Sequence, residues 1–139
     1  MFHKKIGATI VLRLERGEKV IETLLAFCER EKIKGGYFNG LGAAAEVELA
    51  HFSLASKAYS ILKLSGQYEI TGLHGNISTM EGKPYIHSHI TVGDGQFHSL
   101  SGHLKEAVVS ATCEIIVVRL EAEIGRAKDG ETGLNLLAL

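Results

Sequence analysis

The chain has 139 residues, 45% of them hydrophobic and 22% charged, with a single proline. That balance excludes disorder, and a chain of this size buries roughly two thirds of its unfolded surface without needing disulfides or a structural metal. The formal net charge is −1, with Lys and Arg interspersed among Glu, which argues against the concentrated basic face that nucleic-acid binding requires.

The N-terminus carries Lys4 and Lys5, and its apolar stretch runs directly into Arg13, Glu15 and Arg16. It lacks the small-residue cleavage site of a signal peptide. The spacing predicts a first strand over residues 6–14, with Ile10, Leu12 and Leu14 on one face and Val11 and Arg13 on the other, closed by Gly17. Over residues 18–32, Ile21, Leu24, Leu25 and Cys28 recur at three and four positions, which predicts an amphipathic helix stopped by Gly35 and Gly36.

Beyond the helix the period changes to two. Val47, Leu49 and His51 alternate with Glu46, Glu48 and Ala50, and Ile61, Leu62 and Leu64 mark a short apolar segment. Strands are predicted over residues 67–77, 83–92, 96–100 and 112–120, with hairpin turns at Met80-Glu81-Gly82-Lys83 and Gly93-Asp94-Gly95-Gln96. Many strands, hairpin links and one main helix predict an α+β fold with a mainly antiparallel sheet, in a single domain over residues 1–139. The apolar tail, with Leu134, Leu136, Leu137 and Leu139, must dock on its own sheet edge or on another subunit.

The longest nearly uncharged run, residues 107–118, includes Ser110, Thr112, Cys113 and Glu114 and falls short of the ~20 residues of a membrane span. No membrane association is expected. Cys28 and Cys113 are read as reduced core thiols, and the protein is expected in the cytoplasm.

Pro84-Tyr85-Ile86-His87-Ser88-His89-Ile90-Thr91-Val92 carries the strongest chemical signal. Residues two apart share a strand face, so His87 and His89 point one way and Ile86, Ile90 and Val92 the other. Two such imidazoles form half of a metal site. A third ligand is expected where the chain returns after Gly95, with His103 favoured because Gly102 permits close approach and His98 in reserve. Three histidines with an open fourth position suit zinc or another divalent transition metal. The alternative is a solvated face that binds nothing.

Glu114 interrupts an apolar run, so it is either a general acid or base near the metal or a residue on one wet face. Gly40-Leu41-Gly42-Ala43-Ala44-Ala45 mimics a dinucleotide fingerprint but follows a helix and precedes strand residues, the reverse of what that motif requires. No cofactor-binding residues are assigned to it; a tight backbone passage beside the site, or simply a turn, explains the glycines. No G-x-S-x-G elbow is present.

The Gly40-Leu41-Gly42-Ala43 turn, Gly75-Asn76-Ile77-Ser78, His87-Ser88-His89, Gly102-His103-Leu104, Cys113-Glu114-Ile115 and the tail from Glu131 to Leu137 together resemble the plant and prokaryote conserved (PPC) domain over nearly the whole chain. The resemblance implies a stand-alone homotrimer with an architecture similar to acetolactate decarboxylase. It also implies three histidines able to hold zinc, here His87, His89 and His103. Members are often described as DNA-binding, which makes a transcription-associated module the alternative to a metal-dependent enzyme or small-ligand binder. The AT-hook segments that carry DNA contacts in plant members have no counterpart here.

Overall fold

The computed structural model describes residues 1–139. In chain order the elements are β1 (Phe2–Ile6), β2 (Thr9–Glu15), α1 (Val20–Arg30), β3 (Gly36–Ser53), β4 (Ala58–Met80), β5 (Lys83–Gly93), β6 (Ser99–Arg119), β7 (Gly125–Lys128) and β8 (Asn135–Ala138). Strand pairing is antiparallel apart from a parallel contact between β4 and β7 at Thr79 and Gly125. This is the predicted α+β architecture.

The first predicted strand is a hairpin. Gly7, at φ +60°, turns the chain so that β1 folds back along β2, a backbone state that glycine adopts without steric cost. The faces are as read: Ile10, Leu12 and Leu14 are buried, while Val11 and Arg13 are exposed.

Helix α1 is shorter than predicted, and its buried stripe is Val20, Leu24, Phe27 and Cys28, with Ile21 and Leu25 half-buried. Lys19 at the N-cap provides no side-chain hydrogen bond to the free helix N–H groups. Glu106 of β6 takes that place, accepting from the Ile21 N–H at 2.8 Å and the Glu22 N–H at 3.2 Å. A carboxylate there satisfies free donors at the positive end of the helix dipole. The helix ends before Gly35 and Gly36, which serve a different purpose: a Cβ on Gly36 would stand 2.6 Å from the Val118 carbonyl oxygen. The missing side chain lets β3 press against β6.

Gly40-Leu41-Gly42-Ala43 is a bulged part of β3 rather than a turn, with register shifts between Gly40 and Gly42 and between Gly42 and Ala44. A Cβ on Gly40 would lie 2.7 Å from the Glu114 carbonyl oxygen. The backbone passage is therefore tight, but it lies inside the sheet against Glu114 and Ile115 rather than beside the histidines. β4 runs unbroken through two segments that the sequence reading separated, and β6 joins the predicted strands at 96–100 and 112–120, starting at Ser99.

β3 pairs with β4, β4 with β5, β5 with β6, and β6 with β3, so these four strands close a ring. The ring closes where His89–Gly93 of β5 meets Ser99–His103 of β6, and over that stretch neither strand is left with a free edge toward the other. Inward side chains such as Val47, Leu49, Leu73, Ile77, Ile90, Val92 and Leu104 join the α1 stripe in one core. Cys28 and Cys113 are free and buried, and burial pushes both thiols up to about 12.

Outside the ring, the chain returns along β4 through a hydrogen bond from the Thr79 N–H to the Ile124 carbonyl (2.8 Å). The C-terminal tail forms β8, which docks on β7 while leaving Leu136, Leu137 and Leu139 exposed. No helix is long and apolar enough to cross a membrane.

Candidate metal centre

Alternation along β5 turns Ile86, Ser88 and Ile90 toward the core and Tyr85, His87 and His89 outward. The preceding turn sets the register: Glu81 and Gly82 both have positive φ, 52° and 78°, which suits a tight two-residue hairpin. It brings His87 opposite Asn76 and His89 opposite His74 on β4. On the other flank, β6 places His103 directly across from His89. Gly102 assists, since a Cβ there would stand 3.1 Å from the Ala50 carbonyl oxygen.

The three predicted rings therefore meet. Centroids are 5.3 Å apart for His87 and His89, 5.1 Å for His87 and His103, and 5.6 Å for His89 and His103. One nitrogen from each lies within 4.8 Å of the others. Nitrogens held at 2.0–2.1 Å in a tetrahedral array stand roughly 3.4 Å apart, so modest side-chain rotation closes the difference. Burial is the main cause holding all three below the ordinary histidine value, and His103 is lowered to about 4, with His87, Lys105 and His89 adding to the effect. Neutral imidazole is the ligating form, so the donor set fits a borderline-soft divalent ion.

His98 does not join them. It sits in the β5–β6 turn, where its Nδ1 lies 3.2 Å from Asp94 Oδ2. His74 stacks on His89 at 6.4 Å but lines a separate cleft with Asn39 and Glu114. Glu114 is exposed near the opposite end of β6 from His103, paired in register with Arg13 and Leu41. The wet-face reading of Glu114 is the one its position supports, because its apolar neighbours Cys113 and Ile115 point inward. Its proposed acid–base role beside a metal has no geometric support.

The histidines line a cleft of about 580 Å³ together with Phe52, Tyr59, Asn76, Tyr85, Arg126 and residues of the β8 segment. Tyr59 packs between Phe52 (4.9 Å) and His103 (5.6 Å), while Lys105 Nζ lies 4.4 Å from the Tyr59 ring centroid. The end of the β3–β4 hairpin is thus fastened over one side of the cleft, and the β7–β8 hairpin forms the other. The period-two pattern of β5 would have placed Tyr85 beside His87. Arg126 had no such signal, since it reaches the site only through the reversal of the chain after β6.

A closed antiparallel ring with three outward imidazoles under a two-sided cover defines a small β-rich protein with a candidate transition-metal centre. The chain matches the Plants and Prokaryotes Conserved (PCC) domain over residues 1–121 and belongs to that family. Among solved structures it is similar to a candidate DNA-binding protein from Bacteroides thetaiotaomicron, with a TM-score of 0.96 and 35% identity over 99% of this chain and 96% of that one. It is also similar to a metal-containing protein from Archaeoglobus fulgidus, with a TM-score of 0.89 and 30% identity over 100% of this chain and 99% of that one. A plant- and prokaryote-conserved protein from Pyrococcus horikoshii gives 0.87 and 28%, covering 99% and 95%. A curated relative, the bifunctional protein GlmU of a Synechococcus strain, is 30% identical over 88% of this chain, which spans only 19% of that protein's length.

Proposed function

We propose that the chain binds a divalent transition-metal ion, zinc by the chemistry of its donors, through His87, His89 and His103, and that the adjoining cleft takes a small molecule. The observation that carries this reading is the convergence of three imidazole nitrogens within 4.8 Å of one another in the wall of a covered cleft. A bound ion supplies Lewis acidity to an oxygen-bearing ligand, chemistry that suits either a metal-dependent enzyme or a ligand-binding protein. The metal-containing relative from Archaeoglobus fulgidus supports the assignment.

Elemental analysis of protein purified without chelator tests it. Stoichiometric metal is expected in the wild type and none in the His87→Ala, His103→Ala double variant. Equal metal content in the two proteins overturns the reading.

DNA binding is the second reading, favoured by the description of the similar Bacteroides thetaiotaomicron structure as a candidate DNA-binding protein. It ranks lower because several surface lysines are already paired with glutamates, as in Lys19–Glu22, Lys34–Glu123 and Lys63–Glu48. It requires duplex affinity that falls steeply with salt, and no binding at low ionic strength removes it.

We further propose that copies assemble as the homotrimer implied by the family resemblance. Exposed Val11, Tyr37, Leu41 and Ile116 on β2, β3 and β6 offer an apolar face for association. Light scattering reads the mass directly, and a monomeric wild type removes the assembly.

A further inference from the structure

Arg126, on β7, is half-buried in the same cleft. Its Nε donates to Ser78 Oγ at 2.7 Å and its Nη1 to the Asn135 carbonyl oxygen at 2.6 Å. The guanidinium carbon lies 4.9 Å from the centroid of the Tyr85 ring. Both hydrogen bonds and the stacking fix the plane of the group, yet none of its contacts carries a negative charge. No carboxylate of the chain lies within ion-pairing distance of Arg126.

Withdrawing a cation from water is costly unless a counter-charge is supplied. Here every contacting group is neutral: a hydroxyl, a carbonyl and an aromatic face. A guanidinium has five N–H donors in a rigid fork, so most of its hydrogen-bonding capacity remains unused. Burial disfavours its charged form, and its charge in turn disfavours protonation of His87. The cleft therefore combines a fixed cation with three metal-ligating rings, while Phe52, Tyr59 and Leu134 add apolar wall.

We infer that Arg126 is the anion-recognition residue of this cleft and that its small-molecule ligand is an organic carboxylate, paired with the guanidinium while its apolar body lies against the aromatic and leucine side chains. The fork geometry suits a planar carboxylate, and the apolar wall favours a carbon skeleton over a bare inorganic ion. This deepens the metal reading of the same cleft and rests on it.

The test titrates acetate, 3-methylbutanoate, oxalate and succinate into zinc-loaded and chelator-treated wild type, Arg126→Gln and Arg126→Lys, with calorimetry as the readout. The uncharged 3-methylbutanamide and inorganic phosphate serve as comparisons. At least one carboxylate is expected to bind wild type, with affinity reduced about tenfold or more in Arg126→Gln, partly restored in Arg126→Lys, and with the amide much weaker than its acid. Circular dichroism shows that each variant is folded; if Arg126→Gln is not, the Lys variant and the amide comparison decide. Equal affinity in wild type and the Gln variant, equal binding of acid and amide, tighter binding of phosphate than of every carboxylate, or no carboxylate binding overturns the inference. Failure of the metal assignment appears separately, as absent zinc, and the chelator-treated titration still judges Arg126.

Discussion

The two ends of β6 carry outward-facing polar residues of very different character. At one end His103 is half-buried among aromatic rings, and at the other Glu114 is exposed. Both belong to the same strand and face away from the core. What differs is the cover: the β3–β4 hairpin end and the β7–β8 hairpin enclose His103, whereas Arg13 and Leu41 beside Glu114 are exposed as well. A strand pattern tells which side a residue faces, but a site needs a second layer over that side.

The sharpest way to break the covered end is at Gly75. A Cβ there would stand 2.5 Å from the His87 carbonyl oxygen, 2.7 Å from Phe38 Cζ and 2.8 Å from Ser88 Cβ. Gly75→Ala should destabilise the fold by about 1–3 kcal/mol and, on the proposed metal site, weaken metal uptake by displacing the backbone of β5, which carries His87 and His89. Gly72, three residues earlier on β4, has nothing within 4 Å of such an atom, and Gly72→Ala should instead stabilise by roughly 0.4–1 kcal/mol. Urea denaturation with metal analysis compares them; equal effects refute the packing account.

Acid sharpens the contrast next. In the metal-free chain His103 is lowered to about 4, and His87 and His89 lie below 6.5. The unfolded chain takes up these protons first, so their contribution is present above about pH 6.5 and is lost as pH falls toward 4. As pH falls from about 6.5 toward 4, wild type should lose stability relative to His103→Asn, whose side chain does not titrate, and denaturation midpoints of the two proteins read that relative loss. Parallel pH dependence argues against the burial of His103.

Ser88 lies between His87 and His89, but its Oγ is buried without a hydrogen-bond partner. Ser88→Ala should stabilise by up to about 1 kcal/mol while leaving metal content unchanged; a loss of stability reveals a partner for the hydroxyl. The smallest effect belongs to the open end. Glu114→Gln should change stability by less than about 0.5 kcal/mol and leave metal content intact, and any loss of metal shows that the two ends communicate.

Much of the fold was legible because burial imposes periodicity. Ile10, Leu12 and Leu14 revealed their face, and the helix showed its stripe, although Phe27 and Val20 proved more central than Ile21 and Leu25. Glycine-rich stretches resisted the same reading: Gly40 to Ala44 has little side-chain pattern, so a bulged strand looked like a turn. The hairpin at Gly7 was hidden within an apolar run that continued across it.

The sequence by itself determined that His87 and His89 share a face, because alternation is a property of one extended strand. Gly102 already pointed to His103 over His98, whereas setting Glu114 apart and bringing Arg126 beside Tyr85 were left to the tertiary structure. Those relationships depend on register between strands and on which segments cover the ring, and both arise from contacts between residues far apart along the chain.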